Sequence, residues 1–174
     1  MSGTDDWGRA RITWGLWWGM RDFEHLNILL GVAISEVHIC GRAGSLLMQS
    51  GDYGDVLEMF ANASPEGLHL ADPVGRRRFD KWRKRKIYRG GVGDPTFVAE
   101  GISWTLDYNI ARWFARVYSS PTPENPGHVI VARVGKPWVM ACYEGEDEVV
   151  AWPDEQRSFD VIDTGHEPVK RPWE

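Results

Sequence analysis

Cys40 and Cys142 are the only thiols in a chain of 174 residues. Two cysteines are too few for a disulfide framework, and their scarcity points to a reducing compartment. The five histidines, His25, His38, His69, His128 and His166, are scattered without the spacing of metal ligands, so no catalytic metal is expected. Long apolar runs are missing as well. Ile12 to Met20 is short, holds Gly and Trp, and gives way at once to Arg21 and Asp22; a secretory signal needs a longer apolar centre and a small-residue cleavage site. Leu26 to Ile34 is followed by Glu36 and reads as one face of a soluble helix, not a membrane span. A cytoplasmic protein with no membrane partner is the expectation. Nucleotide signatures are also wanting. There is no GxxxxGK(S/T) loop, and Gly90-Gly91-Val92-Gly93 lacks both the full dinucleotide fingerprint and a helix in register after it.

Against these absences stand ten tryptophans and an uneven charge distribution. Several of the indoles should be half-buried, with the N–H seeking a partner. Hydrophobic residues at 43% and charged residues at 26% suit one soluble domain with a real core. The net charge of −5 conceals a basic stretch: Arg76, Arg77, Arg78, Lys81, Arg83, Lys84, Arg85 and Lys86 are opposed there only by Asp80. Two readings stay open. One is a solvated basic helix face. The other is a docking surface for nucleic acid or an acidic partner, with Phe79 and Trp82 as stacking groups.

In chain order, residues 1–20 show no clean period, and Trp7, Trp14, Trp17 and Trp18 suggest an arm or short helix. Leu26, Leu29, Leu30, Ala33, Ile34 and Val37 form a helical stripe, ended by Gly41 and Gly44. Further helical pieces are expected at 46–48 and 56–60. Residues 64–75 read as a loop, and 76–86 as a short helix leading into a strand at 87–89. A second extended piece at 101–105 runs into a helix over 107–118. After the turn-rich 119–127 come β-forming runs at His128 to Val134, Trp138 to Tyr143 and Glu148 to Trp152, with Val161 and Ile162 closing the pattern near 158–163. Helices first and clustered strands later predict an α+β fold with a mixed, mainly antiparallel sheet. Neither a repeat nor a long linker interrupts this, so 1–174 is expected as one domain, with 1–80 mainly helical and 81–174 the core.

The chemistry-bearing residues lie in that core. Arg89 arrives at a strand end on the Gly90-Gly91 turn. In Gly101-Ile102-Ser103-Trp104-Thr105, strand alternation turns Ser103 and Thr105 to one face and Ile102 and Trp104 to the other. In Glu146-Asp147-Glu148 the same period places Glu146 and Glu148 together, where mutual repulsion raises a pKa. Singly, each has a bland reading: a strand-end salt bridge, a pair of hydroxyls, a solvated acidic turn. Ile110, Trp113, Phe114 and Val117 likewise read first as helix packing on the sheet. The order of the three motifs carries more information than any one of them.

Tyr88-Arg89-Gly90, then Gly101-Ile102-Ser103-Trp104-Thr105 with Ala111-Arg112-Trp113-Phe114-Ala115, then Glu146-Asp147-Glu148-Val149-Val150 resemble the mono-ADP-ribosyltransferase family of the Arg-Ser-Glu class, the group of cholera-toxin-like and clostridial-toxin-like enzymes. The resemblance covers about residues 86–152. It implies a two-sheet core with N-terminal helices packed on it, and NAD as substrate with no metal. Arg89 would offer its planar fork to phosphate or ribose oxygens. Glu148 would stabilise the oxocarbenium-like charge formed on breaking the nicotinamide–ribose bond. Ser103 would fix the Glu148 rotamer, and Thr105 would support the strand or touch the ribose. Gly90, Trp104 and Phe114 complete the expected NAD-binding set, with Phe114 or Tyr108 able to stack on the nicotinamide as well as pack on the sheet. Glu146 takes the position that meets the acceptor, and glutamate there is similar to the arginine-modifying subgroup. A bacterial or phage effector acting as a toxin in the cytosol is the implied setting.

Three departures from the family pattern stand out. Trp104 replaces the middle serine or threonine, only 14 positions separate Arg89 from Ser103, and the loop before Glu146 is short, with Tyr143 its one large group. Two alternatives accompany the transferase expectation. One is an NAD glycohydrolase. The other is a non-catalytic module that docks nucleic acid or a partner protein through 76–86.

Overall fold

The computed structural model describes residues 58–60, 62–152 and 158–173. The tryptophan arm and the stripe expected at Leu26 to Val37 lie outside them. The backbone divides into two compact units, Met1–Arg76 and Arg77–Glu174. Among the described residues no helix is long and apolar enough to cross a membrane.

In the first unit, residues 64–75 are more ordered than their Pro and Gly content predicts. The Ser64 hydroxyl accepts the Gly67 N–H at 3.1 Å, and Pro65 occupies the first helical position of α1 (Pro65–Leu68). A hydroxyl cap followed by a proline that has no N–H to lose is a helix start, not a loop. The same device recurs at Asp72, whose carboxylate accepts the Gly75 N–H at 2.7 Å. There the helix α2 (Pro73–Asp80) begins, earlier than the basic stretch alone suggested.

The second unit is built on one six-stranded sheet, antiparallel throughout, of β1 (Arg85–Val92), β2 (Ser103–Thr105), β3 (Gly127–Val134), β4 (Val139–Cys142), β5 (Glu148–Ala151) and β6 (Phe159–Gly165), in the spatial order β4-β5-β2-β1-β3-β6. The expected α+β class and all the expected strand regions are present. The two-sheet form is not: the described residues make a single sheet, but its middle is thin. β1 pairs with β3 over eight residues, whereas β1 meets β2 at the single pair Tyr88↔Thr105. β2 is three residues long and pairs along its whole length with β5, so the thin seam is on its β1 side.

One face of this sheet carries the apolar core, with Ile87, Trp104, Ile130, Val134, Val149 and Ala151 buried together, and Val98 and Ala99 of α3 (Pro95–Ala99) packed among them. On the other face lies α4 (Tyr108–Trp113), capped by Asp107, whose carboxylate accepts the Asn109 N–H at 2.7 Å. It continues as a π-helical turn over Phe114–Tyr118, so the helix expected at 107–118 is present. Close approach is possible because Gly90 and Gly127 have no side chains. A Cβ on either would overlap the carbonyl of Ala111 or Ala115, so glycine is required for the helix to sit on the strands.

Candidate active site

Alternation and register assemble the site. Thr105 pairs with Glu148 and Ser103 with Val150. Directly paired residues share a face in an antiparallel ladder, so Ser103, Thr105 and Glu148 stand on one side. Tyr88, opposite Thr105, extends the row, and its ring meets Tyr108 edge-on at 6.0 Å. Trp104 and Val149 pair on the other face and belong to the core.

Ser103 is the residue through which the two expected charged groups are linked. Its hydroxyl donates to the Glu148 carboxylate, which fixes the orientation of that side chain. Its carbonyl accepts from one Nη of Arg89, while Arg89 Nε donates to the carbonyl of Val98 at 2.8 Å. Past the Tyr88↔Thr105 pair, β1 and β2 are thus joined by the Arg89 side chain in place of ladder bonds. The guanidinium lies against Gly101, where a Cβ would overlap it. Arg89, Ser103 and Glu148, 59 residues apart at their extremes by number, are linked through Ser103, with Arg89, opposite Ile130, starting from the core face of β1 and Ser103 and Glu148 standing on the other face.

The acidic turn is built differently from the expectation. Glu146 and Glu148 are not two alternate residues of one strand. β5 begins at Glu148, while Glu146 sits in a short 3₁₀ turn with φ 54° and ψ 19°. Asp147 is also left-handed, with φ 48°. Backbone of this kind costs a non-glycine residue about 1–3 kcal/mol and persists only where its surroundings impose it. Here they do. Thr105 Oγ1 donates to the Glu146 carbonyl at 2.7 Å, the Leu106 N–H donates to the Asp147 carbonyl at 3.0 Å, and the Tyr143 N–H to the Glu148 carbonyl at 2.9 Å. Although much of Glu146 is exposed, its carboxyl is held above the ordinary glutamate value, first by loss of solvent around it and then by the Glu148 carboxylate. The mutual influence expected of the two glutamates is therefore present, but a turn produces it.

Several expected members fall elsewhere. Trp104 is 2% exposed and its indole N–H is buried with no hydrogen-bond partner. It is a core anchor. The ring of Phe114 meets Trp113 at 5.1 Å and Tyr118 at 5.2 Å, so its contacts are those of helix packing. Gly90 serves the approach of α4. Tyr143 is 3% exposed, which removes it from any surface an acceptor would touch. Phe79 and Trp82 also turn inward: Trp82 is buried and donates to the Val134 carbonyl at 3.2 Å, and Phe79 packs on the core. Stacking platforms for nucleic acid are therefore absent from the described basic stretch, while its cations Arg77, Lys81, Arg83, Lys84, Arg85 and Lys86 are exposed.

Three residues that sequence reasoning missed complete the surroundings. Gly101 makes room for Arg89. Arg78, from the basic stretch, reaches the acidic turn and donates to the Tyr143 carbonyl at 3.0 Å and to the Asp147 carboxylate at 2.6 Å. Asp163 on β6 gathers Arg112 at 3.1 Å, Arg116 at 2.5 Å and the Tyr108 hydroxyl at 3.2 Å. No local pattern announces contacts across 69 or 47 positions. Among the described residues no group of three or more His, Cys, Asp or Glu is placed to hold a metal. Comparison with protein-family models, curated proteins and solved structures returns no match to the chain.

Proposed function

We propose that the chain is an NAD-dependent mono-ADP-ribosyltransferase that passes ADP-ribose to a protein side chain, arginine by expectation, and releases nicotinamide. One observation carries the reading: the Ser103 hydroxyl holds the Glu148 carboxylate while the Ser103 carbonyl holds the Arg89 guanidinium. Three motifs that resemble the family's in order are also joined in space. NAD enters this proposal as a substrate, and the donor set suits it. A permanent cation answers the diphosphate, and an oriented carboxylate answers the positive charge that develops on the ribose.

In the step itself the C1′–N bond to nicotinamide breaks, and its electron pair leaves with the now neutral base. Glu148 stabilises the cationic ribose carbon. A guanidine nitrogen of the acceptor forms the new bond to C1′ and sheds a proton, which Glu146 takes; a carboxylate held above its ordinary value is a better proton acceptor than an unperturbed one. Water in the acceptor's place gives the glycohydrolase reaction by the same bond cleavage. Incubation of the protein with NAD labelled in the adenylate and with a cell lysate tests the proposal, read by mass spectrometry of modified side chains. Transfer of ADP-ribose supports it; no nicotinamide release by the folded protein removes it.

A further inference from the structure

Glu146 and Asp147 occupy consecutive left-handed positions, held by Thr105 and Leu106 at the end of β2 and by the Tyr143 N–H. A further support comes from Arg78. The Arg78 guanidinium spans from the carbonyl of Tyr143, before the turn, to the carboxylate of Asp147 within it. Its side chain is 21% exposed against 43% for Asp147, so the pair is partly shielded from the solvent that weakens surface ion pairs. A fork that takes two acceptors at once fixes both the distance and the angle between them, which a single ammonium does not.

Resting on the transferase reading, we propose that Arg78 is a positioning residue for the acceptor step: it clamps the 143–148 turn so that Glu146 meets an incoming guanidine beside Glu148. Thr105 holds the same turn through the Glu146 carbonyl, and Arg78 holds it through the Tyr143 carbonyl and the Asp147 carboxylate. The two supports act on different atoms, so loss of Arg78 leaves the Ser103–Glu148 bond in place while Glu146 drifts. Acceptor transfer then suffers more than bond cleavage. Misplacement of a reacting group by about 1 Å costs up to roughly a hundredfold in rate. A flexible turn that still visits the right position should lose on the order of tenfold.

The test compares the full-length protein with Arg78→Ala, Arg78→Lys and Asp147→Asn. Nicotinamide release and ADP-ribosylation of agmatine, a small guanidine acceptor, are followed in parallel with hydrogen exchange over the 143–148 peptide. The expected result is a transfer-to-hydrolysis ratio that falls on the order of tenfold in Arg78→Ala, a smaller fall in Arg78→Lys, and faster exchange of the turn in both. Asp147→Asn removes the charge of the same pair from the other side while its amide oxygen can still accept from Arg78, so a smaller fall in the same direction is expected of it, and it decides the matter if Arg78→Ala fails to fold. An unchanged ratio, an equal loss of both reactions, or unchanged exchange in the turn overturns the assignment. If the wild-type protein releases no nicotinamide, the transferase reading fails on its own, and unchanged exchange then removes the clamp as well.

Discussion

Gly101 lies where the Arg89 guanidinium passes, and a methyl group on Gly101 would occupy the same space. The obstructing atoms are the far end of a long side chain, free to swing, whereas the clash at Gly90 is with the Ala111 backbone. Gly101→Ala should therefore leave the fold standing but push the guanidinium off the Val98 and Ser103 carbonyls. The expected outcome is NAD affinity reduced on the order of tenfold, the value of one displaced charge-assisted contact, together with a lowered melting temperature, since the Val98 and Ser103 carbonyls lose their donor. Titration calorimetry with NAD checks it. Gly90→Ala is the contrast: it should cost about 1–3 kcal/mol of stability through overpacking, read by chemical denaturation.

Glu148→Gln keeps the shape of the side chain and its contact with the Ser103 hydroxyl but removes the charge. Nicotinamide release should fall by on the order of a hundredfold or more, with NAD binding retained. Ser103→Ala leaves the charge and removes only its orientation, so a smaller loss is expected. Single-turnover assays of both variants separate these outcomes, and equal losses would mean that the Ser103 bond, not the Glu148 charge, is what matters.

How much of this was legible beforehand depends on the range over which each feature is encoded. Strands with β-branched runs, such as His128 to Val134, announce themselves locally, and so does the helix after Asp107. The face on which Ser103 and Thr105 lie follows from a period of two. Glu146 escaped that logic because its left-handed φ breaks the period before the strand begins, and a glutamate carries no sign of such backbone. Phe79 and Trp82 illustrate the opposite error. Aromatic residues among cations look like a nucleic-acid platform, yet with Arg85 over the Trp82 ring at 4.9 Å and Lys136 over Phe79 at 2.9 Å, the cations cover aromatic faces that the core has already claimed. Arg78 was counted as one of eight like charges, and only its long reach to Asp147 distinguishes it.

Asp163 compensates two guanidinium groups, and Arg116 is 7% exposed. Asp163→Asn keeps the volume and removes the charge, leaving Arg116 buried without its counter-ion. A broken buried pair costs about 3–5 kcal/mol, with the lower end expected because Arg112 is 42% exposed and screened by water. Urea denaturation measures the loss. The burial and the Asp163 carboxylate that hold the Tyr108 phenol above its ordinary value would then act less strongly, so the tyrosine titration monitored by ultraviolet absorbance should move down. A variant as stable as the wild type would show that the cluster is solvated in solution.

Glu146 makes stability depend on pH in a direction opposite to that of most carboxylates. Its folded pKa is raised, so between the ordinary glutamate value and the raised one the folded state holds more proton than the unfolded state. Stability therefore falls as pH climbs through that window. Glu146→Gln removes the titration and should melt at a higher temperature than the wild type above the window, the difference vanishing below the ordinary glutamate value. Differential scanning calorimetry across pH 4 to about 8 reads this directly. The same substitution should spare NAD hydrolysis and impair transfer to a guanidine, because the proton it no longer takes belongs to the acceptor and not to the departing nicotinamide. A rise in stability without that division of activities would make Glu146 a strained surface residue and leave the acceptor step to another group.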